Sequence, residues 1–135
     1  MKSMVVALLM TIISFACFAQ DSVEYRACSS KANTQSEMTA CASEEAARVD
    51  AKLKTTYGAL LARVTSQPEA LAKVKAAERA WISYRDGYIE ATYPAENKAT
   101  EYGSIYPFEV NLLRARLTQR QIVALEDMLQ HYKPK

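Results

Sequence analysis

"TQSEMTACASEEAARVDAKLKTTYGALLARV", residues 34–64, decides how this 135-residue chain folds. Thr34-Gln35-Ser36-Glu37 has the form of a capping box, in which the Glu side chain reaches back to the cap N–H. Behind it Met38, Cys41, Ala42, Ala46, Val49, Leu53, Tyr57, Leu60 and Val64 recur at three- and four-residue steps. Such a stripe is one face of a helix, and the spacing predicts a single helix ending near Thr65. The other face, with Glu44, Arg48, Lys52 and Lys54, reads as solvated charge.

A second box, Ser66-Gln67-Pro68-Glu69, follows at once, with Pro tolerated in the first turn. Leu71, Val74, Trp81, Tyr84 and Tyr88 continue a helical face, flanked by Ile82, Arg85 and Ile89, to about Thr92 before Pro94. So short a connection predicts an antiparallel hairpin. Residues 93–104, YPAENKATEYGS, show no period and read as the one substantial loop. Apolar positions resume with Ile105, Phe108, Leu112, Leu113 and Ala115. A third box at Thr118-Gln119-Arg120-Gln121 then leads into Ile122, Leu125, Met128 and Leu129. The C-terminal third is therefore expected as two short helices, or one bent at Leu117-Thr118. The fold class is all-α: a small bundle made of a long antiparallel hairpin, one or two shorter C-terminal helices and one disulfide.

The first twenty residues, MKSMVVALLMTIISFACFAQ, carry Lys2, an apolar run from Met4 to Phe15 and a small-x-small ending before Gln20. That is the layout of a secretory signal peptide, too short to span a membrane. Cleavage is expected after Ala19, leaving one domain over residues 20–135 in the periplasm or outside the cell. The rival is a lipoprotein anchored through Cys17, disfavoured by Ser14 and Phe15 upstream. Loss of residues 1–19 removes Lys2 and no acid, so 16 bases face 15 acids. A balance this even, without a basic run, gives no reason to expect nucleic-acid binding.

Cleavage leaves Cys28 and Cys41, an even count in an oxidising compartment, which predicts a disulfide. On one straight helix the two Cα atoms would lie roughly 20 Å apart, whereas a disulfide tolerates about 7 Å. The chain must double back between them, and Asn33-Thr34 is the obvious place.

Catalytic signatures are nearly absent. The single histidine, His131, lies four residues from the C-terminus. No HExxH, paired CxxC, phosphate loop or GxSxG occurs, so no enzyme, cofactor or metal site is predicted. The chemistry-rich stretch is Ala77 to Pro94, AERAWISYRDGYIEATYP. Trp81 and Arg85 lie one turn apart, as do Tyr84 and Tyr88. Either Trp81 fills the core while Arg85 finds a carboxylate, with Asp50 across the hairpin the candidate, or the aromatics form a platform for a ligand. Asp86 points away and is free to pair with a base on a neighbouring helix. The core alternative is the commoner use of aromatics at helical spacing.

Taken in order, Gln35-Ser-Glu-Met-Thr-Ala-Cys-Ala42, Asp50-x-x-Leu53-x-x-x-Tyr57-x-x-Leu60, Ala80-Trp-x-x-Tyr-Arg-Asp86, Gly103-Ser104 and Leu117-Thr-x-x-Arg120 resemble the LprI-type lysozyme-inhibitor family of small exported bacterial proteins. The resemblance spans about residues 28–125 and marks Asp50, Tyr57, Trp81, Tyr84, Arg85 and Asp86 as its structural motif. Thr39 and Lys54 stand where the family commonly has Asn. Ile89 and Leu113 stand where many members carry a second cysteine pair, which implies an apolar contact between them in place of a bridge. The resemblance further implies an all-helical envelope protein that binds a protein partner, for some members lysozyme. Inhibition of that kind occupies the substrate cleft and hydrogen-bonds the catalytic carboxylates. Lys98, Tyr102, Gly103, Ser104 and Tyr106 are the candidate partner-binding loop. The plainer alternative is a connector whose Gly103-Ser104 caps the next helix.

The expected function is thus binding of lysozyme or another peptidoglycan hydrolase. An immunity protein against an envelope-targeted toxin and a small-ligand carrier using Trp81 and Tyr88 are the alternatives. A sequence pI near 8.4 offers no steering toward strongly cationic lysozymes and fits a less basic partner better. The sequence gives no oligomeric state.

Overall fold

The computed structural model describes residues 21–132. The expected signal peptide and Cys17 lie outside the described residues. The elements are α1 (Val23–Ser29), α2 (Gln35–Val64), α3 (Pro68–Thr92), α4 (Lys98–Tyr102), a 3-10 turn (Gly103–Ile105) and α5 (Tyr106–His131), with no strand among the described residues.

The first capping box forms as predicted. The Thr34 hydroxyl accepts from the Glu37 N–H at 3.2 Å, and the Glu37 carboxylate accepts from the N–H groups of Asn33 and Thr34 at 2.6 and 3.0 Å. These two donors, Asn33 first, hold Glu37 below the usual carboxylate range. The second box does not form. Gln67 is the cap residue and makes no side-chain cap bond. A residue before proline is pushed out of the helical region, so α3 opens at Pro68 and leaves Ser66 one place too early.

The third box is absent as well, because α5 runs unbroken for 26 residues. Thr118 lies inside it with no exposed surface and donates instead to Asp50 Oδ1 at 3.2 Å. The expectation of two short C-terminal helices, or a bent one, is corrected: a single long helix opens with Pro107 in its first turn. α1 was not foreseen, and residues 93–104 are partly helical rather than all loop.

The three long helices run up, down and up, which sets α2 and α5 side by side and parallel. Their seam carries three core clusters. Tyr25, Cys41 and Ala42 pack with Phe108 and Leu112; Ala46, Val49, Ala115 and Ile122 follow, with Leu53 against them; Leu60, Val64, Val74 and Leu125 close the far end. Fully burying an aliphatic side chain such as Leu60 or Ile122 stabilises by about 1.5–3 kcal/mol. α3 is antiparallel to both, with Val74 near Leu125 and Tyr93 near Glu109. It buries only Val74, Glu78 and Ile89 along 25 residues, against eight on α2. The main partner of α2 is therefore α5, distant in sequence, rather than its hairpin neighbour.

α1 is tied to α2 by the Cys28–Cys41 disulfide, Cα atoms 5.7 Å apart, and by a polar knot. Ser22 caps α1 by accepting from the Tyr25 N–H at 2.9 Å and donates to Glu45 at 2.6 Å. Glu45 is only 7% exposed, and a carboxylate so buried needs a partner. Arg48, read from sequence as solvated charge, supplies it, pairing with Glu45 and donating to Ser22 at 2.9 Å.

Candidate partner-binding site

α3 ends where Pro94 prevents another turn, and its last carbonyls are met by the Tyr93 N–H reaching Ile89 at 3.0 Å. Tyr93 then anchors a cluster at the end of the bundle. Its ring meets Tyr102 and Tyr106 edge-on, centroids 5.2 and 5.1 Å away, while Tyr102 and Tyr106 stack at 5.8 Å. Edge-to-face and offset-stacked pairs are the favoured aromatic geometries. The Tyr93 hydroxyl faces Glu109 Oε2 at 3.3 Å. Burial first, and the Glu109 charge second, push this phenol above its ordinary range, so Tyr93 stays a neutral donor to the carboxylate.

Lys98 acts as a clamp. Its ammonium donates to Glu90 Oε2 at 2.7 Å and to the Tyr93 carbonyl at 2.5 Å, and the Glu90 hydrogen bond holds it above the usual lysine range. Two of its three donors are thus used within the chain. Tyr102 Oη accepts from the Ala95 N–H at 3.1 Å, a bond that does not use its own proton. Asn97 caps α4 by accepting from the Thr100 N–H at 3.1 Å.

Gly103 has φ 69°, the one positive value among the described residues. An added Cβ would meet no atom within 4 Å, so it is the backbone turn, not packing, that calls for glycine. Beyond it Ser104 is exposed and Ile105 is 43% exposed. Neither the 3-10 turn nor α5 has a side-chain cap, so Ser104 does not cap the next helix as the connector alternative expected, and Gly103 instead closes α4. All five predicted loop residues meet at this tip. Tyr93 and Ile105 belong with them and were missed, because each looks like an ordinary residue at the edge of an aperiodic stretch.

The motif residues divide between interior and surface. Asp50 bonds Thr118, and Tyr57 packs on the Leu60–Val64 cluster, where burial and then the nearby Glu78 raise its phenol. Glu78, 6% exposed, accepts from Gln121 Nε2 at 2.8 Å. The expected Arg85–Asp50 pair is absent. Arg85 instead bonds Asp86 Oδ1 at 2.8 Å and lies 5.1 Å from the Trp81 ring centroid. Asp50 is engaged by Thr118 of α5 instead. Asp86 accordingly pairs with its neighbour, not with another helix. Trp81 is half-buried, outside the core clusters, and Tyr84 is 58% exposed.

With that geometry in place, the profile of the family described as lysozyme inhibitor LprI matches residues 26–125, from α1 into α5, taking in the disulfide, the motif residues and the tip. The chain belongs to the LprI lysozyme-inhibitor family. An uncharacterized protein of Rhizobium meliloti (strain 1021) is 30% identical to it over 112 residues, 74% of this chain and 77% of that one. No solved structure gives a significant match. For an LprI-family domain the division of the motif has a physical meaning. Asp50 and Tyr57 hold α2 to its neighbours, while Trp81, Arg85 and Asp86 interact with one another along α3.

Proposed function

We propose that this chain is an exported, non-enzymatic binding domain that blocks a peptidoglycan hydrolase of the lysozyme type. The observation that carries the reading is the tip. Gly103 turns the chain so that Ser104 and Ile105 face solvent between Tyr102 and Tyr106, on a base stiffened by the Tyr93 ring and the Lys98 clamp. Hydroxyl donors of this kind suit a pair of catalytic carboxylates, because a carboxylate accepts and cannot donate. Ile105 adds an apolar plug for the cleft, and pre-organisation limits the entropy lost on docking. Family membership supports protein binding, and the disulfide suits an oxidising compartment.

The near-neutral balance of residues 20–135 favours a target less basic than animal lysozymes, such as an endogenous wall hydrolase. Turbidity clearing of a wall suspension by hen, goose and phage-type lysozymes, with and without the protein, tests this. At least one enzyme should be slowed at near-equimolar inhibitor, and the paired substitution Ser104→Ala with Ile105→Ala should remove the effect without changing the melting curve. No protection at about tenfold excess over every enzyme, a ratio at which even weak inhibition registers, sinks the reading.

A further inference from the structure

The Asp50–Thr118 bond marks a level halfway along the bundle. On α3, which runs the other way, Glu78 meets Gln121 and Tyr93 meets Glu109, so α3 crosses that level near Ile82. Sorted by the level, the even balance of acids and bases comes apart. The half that carries the tip, residues 21–50 and 83–118, holds eleven acids against seven bases. The half that carries the α2–α3 turn, residues 51–82 and 119–132, holds seven bases against four acids. The sequence continues past it with Lys133 and Lys135.

Ion pairing widens the difference. In the tip half Arg48, Arg85 and Lys98 are held by carboxylates. In the turn half, among the described residues, only Lys52 is so held, by Glu126 at 3.4 Å. Of the acids there, Glu126 is thus engaged, and Glu78, 6% exposed, accepts from Gln121. The bases draw together where α2 and α3 lie side by side. Residues 51–64 of α2 contain no acid, and Lys54 stands one turn before Tyr57. Lys75, Arg79 and Ile82 share one face of α3 by steps of four and three. Tyr57 connects the two helices: burial and Glu78 raise its phenol while the Arg79 charge opposes them, so Arg79 lies within reach of α2. Lys54, Lys75 and Arg79 are all exposed, and Ile82 is 40% exposed beside them.

We propose that this α2–α3 face, with Lys54, Lys75 and Arg79, seats the domain on an anionic lipid surface. The bases are spread over two helices rather than converging on one point, which suits a plane of many phosphates better than a single discrete anion. No helix among the described residues is long and apolar enough to cross a membrane, so the contact is peripheral, with Ile82 meeting the headgroups. Each base near such a surface adds attraction that fades within a Debye length. The acidic half is repelled by the same charge, so the turn half rests on the lipid and the tip faces away from it. This inference goes beyond the hydrolase reading and does not depend on it.

Co-sedimentation of residues 20–135 with sucrose-loaded vesicles tests the proposal. Vesicles of phosphatidylcholine with roughly a third phosphatidylglycerol should bind at least about tenfold more protein than pure phosphatidylcholine at about 0.05 M salt. Most of that binding should vanish at about 0.5 M salt. Lys54→Glu with Lys75→Glu should weaken it by about tenfold. Arg26→Glu with Lys31→Glu, the same change of net charge in the tip half, should leave it within about twofold. Melting curves establish that each variant is folded, and the milder Lys54→Gln with Lys75→Gln should give a smaller loss in the same direction. Ser104→Ala with Ile105→Ala should bind vesicles as the natural chain does, which keeps lipid binding and hydrolase inhibition separate results. No binding to the anionic vesicles at low salt, equal binding to the two lipid compositions, or equal loss in both Glu pairs overturns the proposal. So does tighter binding to soluble polyphosphate than to vesicles of equal phosphate content, which would assign the face to an anionic polymer.

Discussion

Thr118 has the sequence context of a helix cap and the environment of a core residue. Its hydroxyl donates to Asp50, and the pair ties α5 to α2 halfway along their seam. Thr118→Val keeps the volume and removes the donor to a charged acceptor, so it should cost roughly 1–3 kcal/mol by urea denaturation. Asp50→Asn keeps an acceptor oxygen and should cost less; equal losses would mean that the hydrogen bond is not what matters there. Glu37 carries the pH response of the α2 N-terminus. Its folded pKa lies below the ordinary glutamate range, so the stability it gives is present above that range and is lost as pH falls through the folded value. Melting curves at neutral and acid pH should show a smaller acid-induced drop for Glu37→Gln than for the natural chain.

Among the elements, α3 is the one held most lightly, with three buried residues in 25. Its C-terminal end is fixed at Ile89, which is 6% exposed, while Leu113 on α5 is half-buried. If these two replace a cysteine pair, as the family pattern implies, the double substitution Ile89→Cys and Leu113→Cys should form a second disulfide on oxidation. Closing a loop of about 25 residues should stabilise by about 3 kcal/mol, seen as a raised denaturation midpoint that reductant reverses. Free thiols in the oxidised, folded double variant would show that the C-terminal half is aligned wrongly with the family. The helices themselves were legible where propensity and pattern agreed, as in α2. α1 was not, because seven residues carry too little periodicity to register, and its stability comes from Tyr25, the disulfide and the Ser22–Glu45–Arg48 knot.

At the scale of the whole molecule the disulfide and the α2–α5 seam have separate tasks. Two core clusters along the seam, one of them taking in Val74 of α3, lie beyond the reach of α1, so reduction should leave those helices folded. Losing a cross-link over 13 residues should lower global stability by about 3 kcal/mol. Hydrogen exchange after reduction should quicken at the α1 amides well before those of α2 and α5, and uniform loss of protection would argue that α1 is integral to the bundle.

The sequence by itself determined what depends on neighbours along the chain: the α2 cap at Thr34, its apolar stripe, the break at Pro94, the reversal that brings Cys28 to Cys41, and the glycine at the tip. It did not determine partners that lie 16 to 69 residues apart, such as Asp50 with Thr118, Tyr93 with Glu109, or Arg63 with the Tyr132 carbonyl. A side chain's polarity says that it needs a partner when buried, but not which one. That choice was made by the parallel docking of α5 on α2, which set Asp50 against Thr118 and left the aromatic side of α3 in solvent.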